Sequence, residues 1–151
     1  MDRRNFLSFA GGLVALSVLP ISLRAEDYRK LKPALWEATT MDEATKALYG
    51  VKDVIESDLV KITVPRINAS GATVPVDFET SIDAKTIALF QNANPESAVA
   101  VYDVSPYDLK KYSVKIKMAE DGIIMVLVEG RDGKIYMAKA GTRVAAGGCE
   151  G

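Results

Sequence analysis

The sequence predicts a mainly β protein, two sheets packed face to face with one short helical region in front. Two observations carry this. From residue 59 onward apolar residues recur with a period of two, and turn residues interrupt those runs at close intervals. A third bounds the size: 151 residues make one domain plus a targeting segment, and 48% hydrophobic residues against 26% charged suffice for a proper core.

The elements follow in order. Leu35 and Trp36 belong to a helical turn that begins after Pro33. Thr40-Met41-Asp42-Glu43 is a capping box, and Gly50 supplies a C-cap, so a short helix spans Met41 to Tyr49. Leu59 to Val64 is a β-branched run stopped by Pro65. Val74, Val76 and Phe78 alternate with polar residues, and Pro75 inside that pattern suggests a sheet edge. Lys85 to Phe90 and Ala98 to Val104 are two further strands, and Tyr112 to Met118 alternates as a half-buried one. Ile123 to Val128 is apolar throughout and should run through the centre of the core. Arg131-Asp132-Gly133 turns it back into Ile135 to Ala138, Asp-Gly being a strong hairpin signal. A last run, Thr142 to Ala145, leads into a glycine tail. Seven or eight short strands in this order are most economically an immunoglobulin-like antiparallel β-sandwich.

The first 25 residues read as an export signal. Arg3-Arg4-Asn5-Phe6-Leu7 precedes an apolar stretch, Phe9 to Leu23, broken by Gly11, Gly12 and Pro20, and Ala25 offers a cleavage point. The run is too short for a comfortable membrane span of roughly 20 apolar residues. Paired arginines before an apolar pair look like a twin-arginine signal. Cleavage after Ala25 removes three arginines and Asp2, leaving 16 basic against 19 acidic residues. The expected division is a signal peptide at 1–25, a sandwich domain at 26–143 and a flexible arm at 144–151, in the periplasm. A balance so close to neutral gives no reason to expect nucleic acid or a membrane surface as partner.

Most catalytic chemistry is excluded by what the chain lacks. With no histidine and one cysteine there is no zinc knuckle, no iron–sulfur cluster and no usual general base. No cofactor or metal is expected. Glycine-rich phosphate loops and nucleophile elbows are missing too. What remains is Cys149, set in Gly147-Gly148-Cys149-Glu150-Gly151. A thiol becomes a strong nucleophile when a cation, a base or a helix N-terminus lowers its pKa; here the neighbours are Gly148 and Glu150, and the negative charge disfavours the thiolate. Such a cysteine suits handling by other enzymes. The stretch from Val144 to Cys149 reaches at most ~20 Å when extended, and its two glycines keep it thin. A thin arm with one thiol can thread into a narrow cleft on another protein.

These residues resemble the SoxY family, the sulfur-carrier subunits of the Sox thiosulfate-oxidation system. The resemblance rests on the twin-arginine leader, Pro65-Arg66-Ile67-Asn68-Ala69-Ser70-Gly71-Ala72-Thr73-Val74-Pro75-Val76, Leu89-Phe90 followed by Asn94-Pro95, the hairpin from Gly122 to Lys139, and the Gly-Gly-Cys tail. The family's tail usually reads Gly-Gly-Cys-Gly-Gly, so Glu150 departs from it. The resemblance implies a heterodimer with a SoxZ-like subunit and a non-catalytic carrier whose Cys149 holds the sulfur covalently. It implies SoxAX as the enzyme that joins thiosulfate to the cysteine, SoxB as the one that releases sulfate, and sulfane dehydrogenase as a further partner. Two readings from other classes stand beside it. One is a periplasmic binding or structural sandwich whose cysteine makes only intermolecular disulfides. The other is a one-cysteine thiol peroxidase, which needs an activating group that the tail lacks.

Overall fold

The computed structural model describes residues 26–145. The expected export segment, 1–25, and the tail with Gly147, Gly148, Cys149, Glu150 and Gly151 lie outside the described residues.

Among the described residues three short helices come first: α1 (Tyr28–Leu31), α2 (Pro33–Glu37) and α3 (Met41–Tyr49). The last begins on the expected capping box, with the Thr40 hydroxyl accepting from the Glu43 N–H at 3.2 Å and the Glu43 carboxylate accepting from the Thr40 N–H at 3.3 Å. It ends at Gly50, whose φ of 75° favours glycine. The Lys32 ammonium donates to the Leu48 carbonyl near that end and ties α3 back to the segment before α2.

Nine strands follow: β1 (Val54–Glu56), β2 (Val60–Thr63), β3 (Ile67–Asn68), β4 (Val74–Thr80), β5 (Ala84–Gln91), β6 (Ala98–Asp103), β7 (Lys111–Ile116), β8 (Gly122–Gly130) and β9 (Ile135–Val144). The larger sheet runs β1-β9-β8-β5-β6, with β3 also on β9, and the smaller one runs β2-β4-β7. The protein is therefore mainly β, with two packed sheets and a short N-terminal helical region.

Strand β8 sits at the middle of the larger sheet and shows why its sequence does not alternate. Ile124, Val126 and Val128 face the smaller sheet, where they meet Val74, Val76, Phe78, Ile87, Leu89 and Ile116. Met125 and Leu127 face the helices, where they meet Leu35, Ala44, Leu48, Ala88, Phe90 and Ile135. Both faces are covered, so both parities must be apolar. On the side opposite β1, the free edges β6 and β7 are joined by aromatic rings, Tyr112 lying 4.9 Å from Tyr102 and 5.2 Å from Phe78 between ring centres.

Several expectations are corrected. The sheets are not wholly antiparallel: β1 and β3 both pair parallel with β9, at Ile55 with Tyr136 and Ile67 with Arg143. Ile135 to Ala138 and Thr142 to Ala145 are one strand through Val144, because β8 pairs it continuously from Glu129 to Gly122. Strand β4 is central, yet β2 stops at Asp77, so Pro75 stands where only β7 flanks it and its missing N–H costs no pairing on that side.

Candidate functional site

Of the residues that sequence reading marked, none lies among those described, so the site is approached from where the chain leaves the body. That place is the end of β9. Thr142 is buried, and its hydroxyl donates to the Pro65 carbonyl at 2.7 Å while accepting from the Asn68 side-chain amide at 2.7 Å. The Arg143 N–H donates to the Arg66 carbonyl at 2.9 Å and the Ala145 N–H to the Asn68 carbonyl at 2.8 Å. On the other flank the Asp121 carboxylate accepts the Val144 N–H at 2.8 Å. Every backbone N–H from Arg143 to Ala145 is thus held, and the chain is fixed as far as Ala145.

The segment that grips it is Pro65 to Gly71. A Cβ at Gly71 would run into the Met118 carbonyl oxygen and lie 2.9 Å from Val144 Cγ1, so only glycine lets that loop close on β9. The loop is buttressed in turn: the Met118 N–H donates to the Gly71 carbonyl at 2.9 Å, and Asn94 bonds both the Lys117 carbonyl and the Ala119 N–H. The Asn92 side chain accepts the Ile123 N–H at 2.7 Å. Gln91 is fully buried and satisfied, its amide oxygen taking the N–H groups of Ala93 and Asn94 and its NH2 group donating to the Glu96 carbonyl. Pro65 to Val76 and Asn94-Pro95 carry a family resemblance in the sequence, and nothing local marks them for this work, since hydrogen bonds across 74 residues leave no local signal.

Beside this anchorage lies an open basin of about 700 Å³ lined by Arg66, Ile67, Asp121, Ile123, Gly141 and Arg143, among others. It occupies the end of the larger sheet's helix-side face. Ile123 lies on the same side of β8 as Met125 and Leu127, but the helices do not reach it and it stays 40% exposed. Ile67 is 68% exposed. Gly141, paired with Ile123, has open space where a side chain would stand. Among the described residues the guanidinium groups of Arg66 and Arg143 make no ion pair. No three metal-binding side chains cluster among those residues, and no helix there is long and apolar enough to cross a membrane.

The family model for the sulfur oxidation protein SoxY matches residues 45–149. The chain belongs to the SoxY family. The match takes in α3 from Thr45, both sheets, the Pro65–Gly71 grip and Cys149. Among solved structures, the sulfur carrier protein SoxY from Chlorobium limicola f thiosulfatophilum is 34% identical, with a TM-score of 0.65, over 72% of this chain and 95% of that one. A superoxide reductase (neelaredoxin) from Ignicoccus hospitalis shares the fold alone, at 14% identity and a TM-score of 0.51 over 56% of this chain and 79% of its own. No curated protein matches the sequence. As a SoxY-family member the chain is a sulfur-carrier domain with a single cysteine near the end of its sequence, acted on by partner enzymes and not itself a catalyst.

Proposed function

We propose that Cys149 is the covalent attachment point for sulfur in thiosulfate oxidation, carried on an arm that enters the active sites of partner enzymes. The observation that carries this is the family match running through the Gly147-Gly148-Cys149 tail, together with the rigid seat of β9 from which that tail departs. The cycle balances with the chain supplying only the sulfur atom of a thiol. Oxidative joining of thiosulfate forms one S–S bond, releases a proton and passes two electrons to a haem partner of the SoxAX type. Water then attacks the terminal sulfone in a SoxB-type enzyme, releasing sulfate and leaving a persulfide on Cys149. A sulfane dehydrogenase then oxidises the outer sulfur to a sulfonate, with oxygen from water and the electrons passed to its own acceptor, and a second hydrolysis releases sulfate and returns the thiol; transfer of that sulfur to an acceptor nucleophile returns the thiol directly.

The remaining assignments follow from the same reading. Residues 1–25 export the protein to the periplasm by the twin-arginine route, the body starts at residue 26, the arm expected from residue 144 starts instead beyond the anchored Ala145, and a SoxZ-like subunit completes a heterodimer. The two-sheet body is read as an immunoglobulin-like sandwich. Because the grip extends to Ala145, only four residue steps separate the last anchored residue from Cys149, about 13–14 Å of extended chain.

Intact-mass spectra of the periplasmic protein test the attachment. Adducts of thiosulfonate or sulfane sulfur, removed by reductant and lost in Cys149→Ser, are expected. A covalent dimer with no small adduct overturns the proposal. Stiffening the arm by Gly148→Pro should slow turnover by the partner enzymes with folding unchanged, and unaltered turnover argues against threading.

A further inference from the structure

We propose that two copies of this chain join edge to edge through β6, about a two-fold axis at Tyr102, with no part in the contact for Cys149. The inference goes beyond the carrier reading and does not depend on it.

Strands β6 and β7 each end a sheet, and their edges differ. On β7, Lys111 and Lys115 stand exposed at alternate positions, charges that discourage a further strand. Ala98 to Tyr102 on β6 carries no charge, and every residue of it stays partly exposed. Backbone parity says what fits there. The Val104 N–H donates to the Lys85 carbonyl at 2.9 Å, so in this antiparallel pair Tyr102 and Ala100 also bond toward β5. Val101 and Asp103 then turn their N–H and C=O groups away from β5, and no other group among the described residues takes those four. The register shift leaves Val99 without an opposite residue, so Ala100 to Asp103 is the regular stretch. Unpaired strand groups call for another strand.

The strand that fits is β6 itself. In an antiparallel pair centred on Tyr102, Val101 of each copy stands opposite Asp103 of the other. The four outward groups of one copy then meet the four of the second in four hydrogen bonds, with none left over. Such self-complementarity is what a two-fold interface requires. The same register sets Tyr102 against Tyr102 of the second copy in a non-hydrogen-bonded pair, where side chains approach most closely. Tyr102 already stands 4.9 Å from Tyr112 and 6.1 Å from Phe78 between ring centres, so the axis fuses two aromatic clusters into one. No like charges face each other directly: Asp103 lies opposite a valine, and its carboxylate accepts the Tyr28 hydroxyl at 2.5 Å. Because β9 ends level with the start of β6, the pair carries its two Ala145 ends at opposite poles, clear of each other.

One strand from each copy is a small contact, so association is expected at about 10 µM to 1 mM. Sedimentation velocity of the full chain, held reduced in dithiothreitol, should show a sedimentation coefficient that rises with concentration across that range. The Val101 and Asp103 amides should exchange about three- to tenfold more slowly at its top than at its bottom, with the amides of β7 unchanged. In a mixture of isotope-labelled and unlabelled chains, a cross-peak between Tyr102 rings of different copies should appear. Val101→Pro deletes a donor that β5 does not use and should weaken association by about tenfold or more, while Cys149→Ser should leave it unaltered. The exchange and cross-peak measurements on the parent chain decide the matter even where Val101→Pro does not fold. A chain that stays monomeric at about 1 mM overturns the proposal. So does association that leaves exchange at Val101 and Asp103 unchanged, or that disappears in Cys149→Ser and so reports the tail.

Discussion

Asn68 and Thr142, 74 positions apart, share a 2.7 Å hydrogen bond in the interior, and the same Thr142 hydroxyl donates to the Pro65 carbonyl. Both side chains are more than nine-tenths buried. Replacing Thr142 with valine keeps the shape and removes the hydroxyl between the Asn68 amide and the Pro65 carbonyl, leaving them only their own long 3.4 Å hydrogen bond. Thr142→Val should lower stability by about 1–3 kcal/mol, the usual cost of leaving buried polar groups unpaired. Urea denaturation measures it, and Thr142→Ser, which restores the hydroxyl, should recover much of the loss.

Gly71 and Gly141 make opposite predictions although both lie close to the end of β9. Gly71→Ala drives a methyl group into the Met118 carbonyl and Val144, neither of which is the loose end of a long side chain. A loss of about 1–3 kcal/mol is expected, with faster amide exchange at Val144 and Ala145 as the loop lifts away. Gly141→Ala meets nothing, so its stability should stay within about 0.5 kcal/mol of the parent. Comparable losses in the two variants would contradict the close packing of the Pro65–Gly71 loop.

Tyr49 gives an alkaline signature. Burial pushes its phenol well above the ordinary value of 10.0, with the Glu129 carboxylate adding in the same direction and a hydrogen bond with Thr86 opposing. Above pH 10 the unfolded chain ionises this group while the folded one keeps its proton. The folded state then binds more protons, and stability falls as pH rises. Unfolding free energy should hold steady from about pH 7 to about pH 10 and decline above it. Tyr49→Phe should start lower by about 1 kcal/mol for the lost 3.0 Å contact with Thr86, yet decline less steeply. Parallel declines in the two proteins would remove Tyr49 as the cause.

What could be read from the sequence follows the range of the signal. Thr40 and Glu43 are three residues apart, so their capping box is a local pattern and the helix appears where expected. Strand β8 was legible because the core covers both of its faces and no polar residue breaks Ile123 to Val128. The Asp132-Gly133 turn was legible for the same local reason, Gly133 having a φ of 80°. Strands β1 and β3 were not. They are three and two residues long, too short to show a period, and each exists because β9 supplies a partner some eighty residues away. Gly141 lies between Ile135 to Ala138 and Thr142 to Ala145, which read as two separate runs. Between β8 pairing and open space it breaks nothing. On the functional side the sequence offers Cys149 as the proposed reagent, while the end of β9 that precedes it is held by hydrogen bonds between distant residues, which leave no local pattern.

The grip on Ala145 also sets a rule of traffic. On the proposed carrier role, sulfur on Cys149 can stand no farther from that anchor than four extended residues reach, about 13–14 Å, so any enzyme that works on it must bring the mouth of its cleft within that radius. One sulfur occupies one cleft at a time. The proposed steps would then pass in single file, each enzyme vacating the surface around Ala145 before the next arrives.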